Sequence, residues 1–198
     1  MDVSQYAAFL ALRDRGDKAG AAAAVSAFIA SFGSFDERYD WVADFLEREF
    51  GGGKMRHEIY RDLVFPVLLA GYRRRDAWAV AWLARTCQNL YACRECRGLI
   101  GDTTEYALWL EAYRLRPDGE TRAALLKQQI AWFRFSEHEW PRGILYGMNG
   151  ATPAQCAEIL AEVGFARELD TNGECTRFLD AYERKVRDYQ GRLERSAP

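Results

Sequence analysis

The sequence predicts an all-α protein of eight or nine antiparallel helices, arranged as a helical-hairpin bundle or a short superhelix. Three observations carry this expectation. Apolar residues recur at three- and four-residue spacing along most of the chain. Capping signals stand in front of most of those stretches. No region alternates with the period of two that a sheet requires, apart from extended residues expected in Gly143 to Gly147.

Tyr6, Phe9, Leu10 and Leu12 suggest a first helix that stops at Gly16. Asp17 then precedes an alanine-rich run to Phe32, with Val25, Phe28 and Ile29 on one side and so much alanine that helices can approach closely. Gly33 suits a C-terminal cap. Ser34-Phe-Asp-Glu37 has capping-box spacing and starts a helix with Trp41, Val42, Phe45 and Leu46 inward. Gly51-Gly-Gly53 ends it and is the best hinge in the chain. Met55 to Arg75 follows as a helix expected to kink or split at Pro66, since proline lacks an N–H and clashes with the preceding turn.

Trp78 to Gly98 reads as one helix, with Val80, Leu83, Cys87 and Leu90 on a face. Asp102-Thr-Thr-Glu105 caps a shorter helix ending at Pro117, and Asp118 caps the next, whose stripe is Ala123, Leu126, Ile130 and Phe133. Thr152-Pro-Ala-Gln155 is a strong start, with a threonine cap, proline at the first helical position and glutamine at the third. Thr171-Asn-Gly-Glu174 opens the last helix, where Phe178, Tyr182, Val186, Tyr189 and Leu193 keep helical spacing. Without a low-complexity linker, a single domain over 1–198 is expected.

Composition narrows the function. The 198 residues include 49% hydrophobic and 28% charged side chains, which excludes a disordered chain. Lys+Arg 27 against Asp+Glu 29 gives a net charge of -2, without the basic excess of a nucleic-acid binder. No apolar run approaches the roughly 20 residues that span a membrane. The first residues lack a basic start followed by an apolar stretch, so no export signal is expected. Five cysteines, an odd number, then fit reduced thiols and a cytoplasmic location.

The most informative segment runs from Trp132 to Gly150. An aromatic helix, stopped by Pro141, passes into a glycine-punctuated loop, with Glu137-His138-Glu139 at the join. A histidine between two carboxylates can act as a general acid or base, and the same cluster can be a solvated helix end pairing with Arg134 or Arg142. Arg56-His57-Glu58 holds the other histidine, with Glu58 placed to pair with Arg61. Two His-Glu pairs on different helices could form a shared site, but neither has the His-Glu-x-x-His spacing of a zinc helix. Cys93-Arg-Glu-Cys96 places two sulfurs one helical turn apart, a spacing open to redox or metal chemistry, although no second such pair exists. Gly51-Gly-Gly53-Lys54 lacks the Ser/Thr of a phosphate loop, and Arg73-Arg-Arg75 suits a helix C-terminus.

Gly101-Asp-Thr-Thr-Glu-Tyr-Ala-Leu-Trp-Leu-Glu-Ala-Tyr-Arg-Leu-Arg-Pro117 resembles the second helix of a tetratricopeptide repeat. Ala107, Trp109, Ala112 and Pro117 fit that pattern, one residue short. Gly16-Asp17 leading into the alanine run is a fainter echo. Asn89, Cys93 and Cys96 stand where the first helix of the repeat has large aromatic and glycine positions. The resemblance implies helical hairpins and, by the habit of such folds, the binding of a protein segment in a concave groove.

These readings converge on a non-catalytic helical module that binds a protein or peptide partner, with no nucleic acid, membrane, cofactor or metal expected. The expected contact surface joins the 137–149 loop to the 56–57 pair through Arg56, His57, Trp140, Arg142, Tyr146, Met148 and Asn149, since exposed loops with aromatic and Arg side chains favour recognition. The alternative is an enzyme with His138 as acid or base, oriented by Glu137 or Glu139 and acting on a small anionic substrate held by Arg142. The long stripe of the last helix also offers a homodimer contact.

Overall fold

The computed structural model describes residues 1–140, 142–147 and 149–196. The described residues are helical throughout except for loops and one two-stranded hairpin, so the all-α expectation holds. By its internal contacts the chain divides into two compact units, Met1–Arg116 and Pro117–Pro198. The boundary falls at Pro117, where proline bars a helix from continuing, and the Gly51–Gly53 segment lies inside unit 1.

In unit 1, helix α1 (Val3–Asp14) packs against α2 (Lys18–Ala30), and Gly16 turns between them with a φ of 76°. Three short polar residues start helices here, two where the sequence predicts and the third, Thr104, two residues beyond the expected Asp102. Asp17 accepts from the Gly20 N–H, Ser34 from the Glu37 N–H at the head of α3 (Phe35–Asp44), and Thr104 from the Ala107 N–H at the head of α9 (Glu105–Leu115). Each such cap contributes about 1 kcal/mol.

Two of the expected helices are interrupted. The expected break at Pro66 takes the form of a π-helical turn, in which α4 (His57–Ile59) widens over Tyr60–Val64 before α5 (Phe65–Arg73) begins with Pro66 in its first turn. The first turn of a helix is where the ring and missing N–H of proline do least harm. The helix expected over 78–98 is three: α6 (Ala77–Arg85), α7 (Cys87–Ala92) and α8 (Arg94–Gly98). Thr86 is fully buried and its hydroxyl donates to the Trp82 carbonyl at 2.7 Å, a bond that competes with the helix ladder. The second break is Cys93, extended at φ -110°, where its sulfur bonds to Cys96. The expectation of five reduced thiols is corrected at these two positions.

The glycine segment is tied at both ends of its exit. Asn89 is 3% exposed, its Oδ1 accepts from the Met55 N–H at 3.0 Å, and its Nδ2 donates to the Gly53 carbonyl at 3.3 Å. A buried amide that satisfies two backbone groups fixes a connection that has no side chains of its own.

Unit 2 is α10 (Gly119–Ser136), a hairpin of β1 (Leu145–Tyr146) and β2 (Asn149–Gly150), α11 (Pro153–Leu169) and α12 (Thr176–Ser196). Capping boxes at Asp118/Thr121 and Thr152/Gln155 start α10 and α11. The last helix begins at Thr176 rather than in 171–174, because Asp170 accepts from the Cys175 N–H at 2.9 Å and the Thr176 hydroxyl at 3.3 Å. Phe133, Ile144, Ile159, Val163, Leu179, Tyr182 and Val186 form the core, with Phe178, Tyr189 and Leu193 packed against it. Most of the α12 stripe is thus spent inside the unit.

Candidate functional site

Helix α10 ends at Ser136, ahead of the Glu137-His138-Glu139 cluster rather than beyond it at Pro141; Pro141 itself lies outside the described residues. The Ser136 hydroxyl donates to the Phe133 carbonyl at 2.8 Å and shares a hydrogen bond with the Tyr182 hydroxyl of α12. A serine folding back on its own last turn opens the ladder there. From this point the backbone descends in tight turns, with the His138 N–H donating to the Phe135 carbonyl and the Trp140 N–H to the Glu137 carbonyl.

Ionic contacts hold the start of this loop to α12. The Glu137 carboxylate pairs with Lys185, whose Nζ lies 5.6 Å from the centre of the Trp140 ring. The Arg192 guanidinium lies 5.5 Å from the same ring. Trp140 is half-buried and packs against the unit 2 core, while His138 and Glu139 are exposed.

The hairpin is fixed from beneath. Ile144 is fully buried, and its carbonyl accepts from the Ala151 N–H at 2.8 Å. Leu145 stands opposite Gly150 and Tyr146 opposite Asn149. Gly143 and Gly150 pack on Tyr189, whose hydroxyl would lie 3.1 Å from a Cβ at either position. A Cβ at either position would require Tyr189 to give by a few tenths of an ångström, and Gly147 adopts a φ of 62° that favours glycine. The Tyr146 hydroxyl donates to Glu158 at 2.7 Å, which pushes the phenol above its ordinary range. Arg142 and Asn149 are exposed, and Met148 lies outside the described residues.

Two consequences follow for the expected site. Arg142, Asn149, Trp140 and Tyr146 do share one loop, but Trp140 and Tyr146 also carry packing. Replacing Trp140 with alanine is expected to cost unit 2 about 1–2 kcal/mol, from two cation–π contacts of roughly 0.5–1 kcal/mol each and part of an apolar ring. A urea midpoint lowered by Trp140→Ala and unmoved by Arg142→Ala would match this division. The acid–base alternative needs a cavity converging on His138. His138 is exposed, it lines neither the cavity beside α10 nor the cavity beside Phe9, and Glu137 is engaged by Lys185.

Arg56 and His57 belong to unit 1. His57 is exposed. Arg56 forks onto Glu58 with Nε at 3.0 Å and Nη2 at 3.2 Å, which leaves Arg61 to pair with Asp62 and corrects the expected Glu58–Arg61 pair. The Arg56 guanidinium also lies 5.7 Å from the Phe9 ring, at the rim of a cavity of about 720 Å³. Phe9, Phe45, Phe50 and Ile59 line that cavity with Arg13, Lys54 and Glu49, and Gly51 and Gly52 form part of its edge. Of this set the sequence singled out Arg56 as a site residue, and read Gly51-Gly-Gly53 with Lys54 as a connection rather than a phosphate loop. The Phe9/Arg13 spacing of one helical turn was the available signal for more.

Cys87 is inert by environment, since burial and the hydrogen bond from its thiol to Glu105 push it up to about 12. Among the described residues no group of three or more His, Cys, Asp and Glu side chains is disposed to hold a metal ion. None of the described helices is long and apolar enough to cross a membrane. No family model, curated protein or solved structure matches this chain.

Proposed function

We propose that the chain is a recognition module that binds a protein or peptide partner through the 137–149 loop of unit 2. The observation that carries this reading is preorganisation. The loop is pinned by Ile144, by two glycines on Tyr189 and by Lys185 on Glu137, yet it offers Arg142, Asn149 and a face of Trp140 to solvent. A loop ordered before contact loses little conformational freedom on binding, and that saving is a main source of affinity. Arg and Trp are also the side chains that most often anchor interfaces.

A photo-crosslinking residue placed at Asn149 tests this in cells. It is expected to give one discrete adduct of defined mass, with none from the same residue at exposed Lys18 of unit 1. Arg142→Glu should reduce the adduct about tenfold, the size of one lost charge-assisted contact. Its melting temperature should hold, because surface changes usually stay within about 0.5 kcal/mol. Equal labelling at both positions, or none at Asn149, would sink the reading.

A further inference from the structure

Unit 2 contains a cavity of about 460 Å³ between α10 and the 169–175 connection that leads into α12. That volume falls in the range of small-molecule sites. Leu126, Ile130 and Leu169 give it an apolar floor, and Arg122, Lys127 and Arg134 line it from α10. Among the described residues none of these three cations has an ion-pair partner. Arg134 lies over the Phe178 ring at 5.5 Å.

Two carboxylates complete the lining, and they are not equivalent. Asp170 already accepts from the Cys175 N–H and the Thr176 hydroxyl, so it is committed to starting α12. Glu174 is exposed and has no such duty. The cavity therefore sets three unpaired cations against one uncommitted carboxylate over an apolar floor. Cations facing a concave, partly apolar space attract an anion more strongly than they would on an open surface.

We propose that this cavity binds a small anionic amphiphile, an apolar chain ending in a carboxylate or phosphate. The head group is held by the α10 cations and the chain lies over Leu126, Ile130 and Leu169. The site is separate from the recognition loop and does not depend on it.

Cys175 supplies a reporter, because it lines the cavity and is half-exposed while the other free thiols, Cys87 and Cys156, are buried. Alkylation of Cys175 by iodoacetamide, followed by mass spectrometry on the whole chain, is measured against octanoate, octyl phosphate, octanol and inorganic phosphate. Rates are compared with and without probe inside each variant, since Glu174 itself acts on the thiol. Octanoate and octyl phosphate are expected to slow the reaction, and octanol or inorganic phosphate to need about tenfold more. Lys127→Ala should raise the half-protecting octanoate concentration about tenfold, and Glu174→Gln should lower it. Arg122→Ala serves in place of Lys127→Ala should that variant lose its helical circular dichroism. Equal protection by octanol, equal protection by inorganic phosphate, no effect of either cation variant, or no protection by any probe overturns the proposal.

Discussion

Tyr182→Ala is expected to destabilise unit 2 by about 3–5 kcal/mol, the usual loss for a large buried aromatic truncated to alanine. The ring is fully buried, stacked on Phe133 at 4.7 Å and on Phe178 at 6.0 Å. Its hydroxyl reaches Ser136 at the end of α10. Against a total stability of about 5–15 kcal/mol for an ordinary domain, that loss removes a large share. Tyr182→Phe keeps the stack and should cost only about 1 kcal/mol, since Ser136 retains the Phe133 carbonyl as acceptor. The measurement is urea denaturation followed by tryptophan fluorescence. Because Tyr182 joins α12 to the root of the 137–149 loop, the alanine variant should also weaken the Asn149 crosslink, and the phenylalanine variant should leave it.

The same side chain fixes an alkaline limit. Burial pushes the Tyr182 phenol up to about 12 from an ordinary 10.0, and the hydrogen bond with Ser136 opposes the shift only in part. The folded state therefore holds its proton over a range where the unfolded state releases it. The contribution is fully present below pH 10 and is lost as pH rises toward 12.

What the sequence made legible, and what it left hidden, divides along sequence separation. Caps are local: Ser34, Asp118 and Thr152 act within three residues and stand where the pattern placed them, while the cap of α9 falls on Thr104, two residues beyond Asp102. The helix end at Ser136 was hidden because it rests on Tyr182, 46 residues away. Asn89 looked like a defect in a repeat signature, and its role appears only through Met55, 34 residues earlier. The break at Thr86 depends on a hydroxyl turning inward, which composition alone does not decide. The loop at 137–149 was legible as a place, through its glycines and aromatics. That Trp140 and Tyr146 are also structural was not, because Lys185, Arg192 and Glu158 lie on helices that periodicity cannot bring together.

Gly71→Ala and Gly164→Ala are expected to act with opposite signs, although both sit inside helices. Alanine is favoured over glycine in a helix interior by roughly 0.5–1 kcal/mol. At Gly164, exposed on α11, a Cβ meets nothing within 4 Å, so that gain stands alone and the variant is stabilised by about that amount. At Gly71 on α5 the added Cβ would lie 2.4 Å from the Ala79 Cβ of α6. Carbon atoms prefer about 3.5–4.0 Å, so two rigid backbones have to move apart. Ala79 is fully buried, and the Asp76 carboxylate that caps α6 would stand 3.4 Å from the same Cβ. Overpacking of this kind costs about 1–3 kcal/mol, and at so short a distance the upper part of that range applies. The helix preference offsets only part of it, leaving a net loss of about 2 kcal/mol. Urea midpoints of the two variants decide the matter: a stabilised Gly71→Ala would mean that α5 and α6 do not approach through Gly71 and Ala79.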